Sequence, residues 1–247
     1  MSNKPWLLIT GGAQRIGQYL NQRFAEDNYN IILHYHRSTT QATQLQAQLE
    51  TLGNKVILWQ ADLSKPESIN KALQELFTQV PSIDVLINNA SIFESGNIKN
   101  TSLEQIQNNI NIHLTSPWLL IQAMIKQAKN CQIINILDAN LTHKYTSKSA
   151  YFIAKNALKT LTELAAIECA PDIRVNAIAP GFVLDAIDTA DENKTSVKEM
   201  NLLQKKVPLA DLYASIQFLL SNYSLTGQTI NTDGGSHLQC PPYMLKT

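Results

Sequence analysis

Cysteine is scarce: Cys131, Cys169 and Cys240 lie far apart, are odd in number and form no CxxC. That pattern excludes a disulfide framework and a cysteine metal site, and points to reduced thiols of a cytoplasmic protein. The five histidines show no ligand spacing, so no metal is expected. Neither sign of charge dominates, because 20 Lys and Arg balance 20 Asp and Glu. Nothing therefore draws the chain to nucleic acid or to an anionic membrane. Long hydrophobic runs are missing too, and no stretch approaches the ~20 apolar residues of a membrane span. The first apolar run, residues 6–9, is too short for a signal peptide and leads straight into a glycine turn. There is no internal repeat, low-complexity tract or linker. The 247 residues are expected to form one domain, 1–247.

What is present is alternation. Strand-like apolar runs read at 6–10, 30–36, 55–60, 84–88, 132–137, 173–178 and 228–231. Helical patterns lie between them, near 15–27, 40–52, 66–79, 102–129, 149–169 and 209–221. Continuous apolar strands joined by helices imply an α/β fold: a doubly wound parallel sheet (Rossmann fold) of about seven strands, with helices on both faces. Ligands of such sheets bind at the carboxyl ends of the strands, near the topological switch point. The region near 181–207, polar and charged after Pro180-Gly181, is the least regular. It reads as a lid or binding loop for substrate, with a plain surface excursion as the alternative.

The first strand runs into Thr10-Gly11-Gly12-Ala13-Gln14-Arg15-Ile16-Gly17 and then a helix. Gly11 permits the tight turn and Gly17 the close packing of helix on strand. The helix N-terminus offers backbone N–H groups to a pyrophosphate. The second strand ends at His34-Tyr35-His36-Arg37-Ser38. An acid there would accept from a ribose 2′-OH and signal NAD, but none is present. Arg37 supplies a planar fork for a phosphate, Ser38 a hydroxyl and His36 a flanking ring. The expected cofactor is therefore NADPH.

The third strand closes on Gln60-Ala61-Asp62-Leu63-Ser64. Asp62 has two open readings: it accepts from an adenine amino group, or it starts a turn in which Ser64 caps the helix at Pro66. The fourth strand ends at Asn88-Asn89-Ala90-Ser91-Ile92-Phe93. The adjacent Asn residues suit backbone braces under a cofactor. Phe93 is either a core plug or, at this edge of the sheet, a surface for stacking a flat heterocycle.

Asp138 follows the fifth strand, and Tyr151 and Lys155 lie four apart at the start of the next helix. Residues four apart share a helix face, so a phenol and an ammonium stand side by side. A nearby cation favours the phenolate, which suits a proton donor working near neutral pH.

Taken together these motifs resemble the short-chain dehydrogenase/reductase family. The glycine turn, Asn88-Asn89-Ala90, Tyr151-xxx-Lys155, Pro180-Gly181 and Asp233-Gly234-Gly235 follow the family order across nearly the whole chain. The resemblance implies that Tyr151 donates a proton and that Lys155 holds the nicotinamide ribose. It also puts Gly11, Arg15, Ile16, Gly17, His36, Arg37, Ser38, Asp62, Leu63, Asn89, Ala90, Pro180 and Gly181 around the cofactor. Where this chain has Asp138, the family usually has Ser. That Asp, Arg15, the His34–Ser38 run and the segment through Phe93 resemble the pteridine reductase and dihydromonapterin reductase branch. The branch implies that Arg15, Ser91, Phe93, Asp138 and Tyr151 surround a pterin. It also implies a homo-oligomer, a tetramer as in the family. Aligning Pro117-Trp118-Leu119-Leu120 with the family puts His113 where many members have a catalytic Asn. Whether His113 or Asn111 takes that place stays open.

The expected activity is NADPH-dependent reduction of a dihydropterin or oxidised pterin, with dihydrofolate a further candidate and Tyr151 the proton donor. A carboxylate facing a carbonyl oxygen would repel developing negative charge, so Asp138 argues for a nitrogen heterocycle. Two alternatives stand beside this: a 3-oxoacyl-thioester or other carbonyl reductase, and an NADP-sensing protein without turnover.

Overall fold

The computed structural model describes residues 4–127, 130–142, 146–184 and 201–238. Seven strands form one parallel sheet in the order β3-β2-β1-β4-β5-β6-β7. They are β1 Trp6–Ile9, β2 Asn30–Tyr35, β3 Val56–Gln60, β4 Val85–Asn88, β5 Gln132–Ile136, β6 Arg174–Pro180 and β7 Thr229–Thr232. The register at the centre pairs Leu7, Leu8 and Ile9 of β1 with Val85, Leu86 and Ile87 of β4. Chain order reverses between β1 and β4, and a crevice opens at that point in such sheets.

The helices are α1 Arg15–Glu26, α2 Thr39–Glu50, α3 Ile69–Phe77, α4 Leu103–Ile110, α5 Ser116–Gln127, α6 Ser149–Glu168 and α7 Leu209–Ser221. They cover both faces. Side chains alternate along a strand, so Trp6 and Leu8 enter one core with Leu73, Leu120 and Leu158. Leu7 and Ile9 enter the other with Leu20, Phe24, Leu45 and Ile216. Every residue of β1 and β2 is buried, hence the apolar runs Trp6–Ile9 and Ile31–Leu33. Truncating one such residue, for example Leu8→Ala, should cost about 2–5 kcal/mol.

Two expectations need correction. The expected helix 102–129 is two helices joined by a π-turn, Asn111–Thr115. Ser102 starts α4 with a capping box shared with Gln105. Bonds to a distant loop hold the break: Ser116 Oγ donates to Leu63 O at 2.7 Å and Asn111 Nδ2 to Ser64 O at 2.7 Å. The expected helix 66–79 opens as a 3₁₀ turn, Pro66–Ser68, before α3. Among the described residues no helix is long and apolar enough to cross a membrane.

Candidate active site

The strand ends converge on a cavity of about 540 Å³. Its walls include Gly11, Arg15, Ile16 and Gly17 from the first turn, and His36, Arg37 and Ser38 from the end of β2. Asp62 and Leu63 after β3 and Asn89, Ala90 and Ser91 after β4 complete it. The volume lies within the range of ~300–1,000 Å³ usual for cofactor pockets.

The turn at β1 is built for close approach. Gly11 sits at φ +64°, in the left-handed region. A Cβ on Gly17 would lie 2.2 Å from the Gly11 carbonyl oxygen, so no side chain fits between helix and turn. Asn89 braces the turn from β4: its Nδ2 donates to Thr10 O at 2.9 Å and to Gly11 O at 3.3 Å. Thr10 Oγ1 accepts in return from the N–H groups of Asn89 and Ala90.

His34 is a site residue that sequence reasoning passed over as part of a strand. The Gly11 N–H donates to its Nδ1 at 2.8 Å, and its Nε2 lies 3.2 Å from Ala61 O. A backbone N–H only donates and a carbonyl only accepts, so the ring carries its proton on Nε2. Burial pushes its pKa down to about 4, and it stays neutral. The readable signal was a histidine inside an apolar run, Ile31–Tyr35.

Of the two readings of Asp62, the turn is visible. Its Oδ1 accepts from Ser64 N–H at 3.0 Å and Ser64 Oγ at 2.7 Å. Ser64 therefore does not cap the helix at Pro66, whose N-cap position is Lys65. The other oxygen of Asp62 stands 3.5 Å from His36 Nε2. Burial would raise the Asp62 carboxyl, but the bonds from Ser64 and the nearness of His36 and Lys65 hold it below its ordinary value.

Tyr151 and Lys155 stand on α6 and are both buried. The Tyr151 hydroxyl donates to Asp138 Oδ2 at 2.8 Å. Asp138 Oδ1 accepts from Asn140 N–H at 2.8 Å, which fixes the carboxyl plane. Lys155 Nζ donates to Ile136 O at 2.6 Å and stands 5.9 Å from the Tyr151 ring centroid. Burial lowers the Lys155 pKa to about 8, against the pull of Asp138. These three residues do not line the cavity described above; they stand beside it, past the loop 89–93.

Phe93 is not a core plug. It is 51 % exposed and meets Tyr151 edge to face, with ring centroids 4.8 Å apart. Lys148 Nζ sits 3.8 Å from its ring centroid and donates to Phe93 O at 3.0 Å. Backbone bonds between Gly96 and residues 147 and 149 tie this loop to the start of α6.

His113 and Asn111 part company. Asn111 is spent on structure, bonding Ser64 O and Gln107. His113 is buried with its ring centroid 5.4 Å from that of Tyr151. Pro180 ends β6, and Gly181 N–H donates to Thr232 O at 3.0 Å; neither borders the cavity. Asp233 holds a turn, accepting from Gly235 N–H, His237 N–H and Ser236 Oγ. The expected loop near 181–207 falls largely on 185–200, outside the described residues. Among the described residues no group of three or more His, Cys, Asp or Glu could hold a metal ion.

Residues 5–196 match the family model for short chain dehydrogenases. The 3-oxoacyl-[acyl-carrier-protein] reductase FabG of Staphylococcus epidermidis is 28% identical over 239 residues, covering 94% of this chain and 98% of its own. Glucose 1-dehydrogenase 2 of Bacillus subtilis is 28% identical over 245 residues, 94% of each chain. Among solved structures, FolM alternative dihydrofolate reductase 1 from Brucella canis, complexed with NADP, superposes with a TM-score of 0.91. It is 27% identical and the match covers 98% of this chain and 97% of that one.

Proposed function

The chain belongs to the short-chain dehydrogenase family and is an oxidoreductase, and from that premise we propose that it reduces pterins with NADPH. The substrate is a dihydropterin or an oxidised pterin, with dihydrofolate a further candidate. The observation that carries this reading is the 2.8 Å bond from Tyr151 to Asp138 beside the exposed ring of Phe93. A carboxyl group suits a heterocycle edge that carries N–H donors, and an exposed aromatic suits its face.

The cavity walls fit the cofactor. Gly11 and Gly17 let the first turn close on the start of α1 at the cavity wall, a setting that suits a pyrophosphate, and His36, Arg37 and Ser38 on the same wall suit a 2′-phosphate. NADPH when bound supplies hydride to carbon. The protein supplies the rest. Tyr151 gives its hydroxyl proton to the ring nitrogen, so that C=N becomes CH–NH. Lys155 holds positive charge close to the phenolate that remains. Asp138 orients the heterocycle and Phe93 covers it.

The name of the FabG relative favours a second reading, reduction of a 3-oxoacyl thioester. Against it stands Asp138, whose charge opposes an oxygen gaining negative charge. Exchange of that residue tests the choice. Asp138→Ser should cripple pterin reduction and favour carbonyl substrates, because a site built on hydrogen bonds loses much when a partner is removed. Unchanged pterin turnover would refute the assignment. The working form we propose is a cytoplasmic homotetramer. Exposed apolar residues on α4, α5 and α6, among them Leu103, Trp118 and Ile167, support assembly, which sedimentation checks.

A further inference from the structure

The π-turn at Asn111–Thr115 brings His113 inward beneath the site. Both ring nitrogens are engaged. Nδ1 lies 3.1 Å from Asn109 O, one turn back on α4. Nε2 lies 2.9 Å from Ser91 Oγ and 3.4 Å from the Ile92 N–H. The carbonyl accepts and the backbone N–H donates, so the proton is on Nδ1 and Nε2 is an acceptor. Burial and the charge of Lys155 push the pKa of His113 well below its ordinary value, which keeps that acceptor free of a proton. One neutral ring thus joins three parts: the helix break, the loop after β4 and the ring of Tyr151.

We propose that His113 is a positioning residue that anchors the 91–93 loop, and with it Phe93, against Tyr151. The substrate then meets a preset gap between the aromatic ring and the proton donor. His113 moves no proton itself. Its two loop bonds are accepted at Nε2, a position that Gln can reach with its amide oxygen and Asn cannot. The side chain common in the family at this place is therefore the wrong substitute here, and the longer amide is the right one. The inference rests on the pterin reading only for the substrate used in its kinetic arm.

The test compares His113→Asn and His113→Gln in two ways. Hydrogen–deuterium exchange of the NADPH complex needs no turnover. In His113→Asn, exchange over residues 91–95 should rise about tenfold, the scale of one lost hydrogen bond, while α6 stays protected. The kinetic arm uses whichever substrate the wild type reduces, dihydropterin or 3-oxoacyl thioester. His113→Asn should raise KM about tenfold with a smaller fall in kcat, and His113→Gln should recover most of both losses. In a double-mutant cycle, adding Phe93→Ala to His113→Asn should raise KM less than the separate effects combined. If His113→Asn fails to fold, Ser91→Ala cuts the same bond from the loop side. The proposal is overturned if exchange over 91–95 does not change, or if His113→Asn keeps KM and loses kcat while His113→Gln fails to recover it. A wild type that reduces no pterin refutes the proposed function alone, since the exchange arm still reads the anchor.

Discussion

The Tyr151 hydroxyl donates to Asp138 across 2.8 Å, so its proton points at the carboxyl group, and a substrate must take over that hydrogen bond to be protonated by it. Removing that hydroxyl leaves the ring packed on Phe93 and His113. Tyr151→Phe should lower kcat by about 10²–10⁴-fold, the usual contribution of general acid catalysis. NADPH binding, followed by fluorescence titration, should hold. A variant that kept more than about a tenth of wild-type turnover would mean that another group supplies the proton.

Cofactor choice turns on the end of β2. Arg37 and Ser38 border the cavity, and no acidic residue follows β2 where a ribose 2′-OH would need one. Arg37→Ala should cost NADPH about 1.5–3 kcal/mol of binding, the scale of a charged hydrogen bond. NADH affinity should scarcely change. Calorimetry with both cofactors checks this, and equal losses would remove Arg37 from the phosphate site.

Buried Lys155 predicts a pH effect of definite sign. Its pKa drops from the ordinary 10.5 to about 8 in the folded protein. Between those values the unfolded chain holds one proton more, so stability rises with pH, by on the order of 3 kcal/mol in all. The penalty is fully present below about pH 8. Lys155→Met removes this contribution. Urea melts of the cofactor-free protein should therefore show the wild type gaining stability relative to the variant as pH rises from about 8 to about 10. A difference independent of pH would contradict the buried charge.

His34 links the glycine turn to β3 through one ring. His34→Phe keeps the ring but leaves the Gly11 N–H and the Ala61 carbonyl unpaired. The loss should be about 1–3 kcal/mol of stability for each buried group left unsatisfied. NADPH affinity should fall as well, because Gly11 loses its tether. Thermal melts with and without NADPH measure both effects.

Much of this was legible before the structure. The parallel sheet showed in β1 and β2 because strands covered on both faces carry no polar alternation. The turn 10–17, the place of Arg37 at the cavity and the Tyr151–Lys155 pairing on one helix face were readable because they depend on local spacing. The break between α4 and α5 carried one overlooked signal, Pro117, which cannot donate within a continuous helix, but its exact place was not readable. It depends on bonds from Asn111 and Ser116 to a loop some fifty residues earlier. The role of His34, and the bonds that His113 makes, were hidden for the same reason. Their partners are neighbours in space, 21 to 27 residues away for His34's Ala61 and His113's Ile92, and periodicity says nothing about them.

Phe93 and Asp138 should give different kinetic signatures from adjoining positions. Provided that Phe93 stacks equally on the ground and transition states, Phe93→Ala should raise the pterin KM more than it lowers kcat. Steady-state kinetics separates the two, and a kcat loss without a KM change would remove Phe93 from the substrate face.

The most direct measurement is NADPH oxidation by the wild-type protein with dihydropterins and, in parallel, with 3-oxoacyl thioesters. Asp138 and Phe93 predict rapid turnover of the pterins and slow or no turnover of the thioesters. Good reduction of thioesters with none of any dihydropterin would contradict the assignment, and the carboxyl beside Tyr151 would then have no part in choosing the substrate.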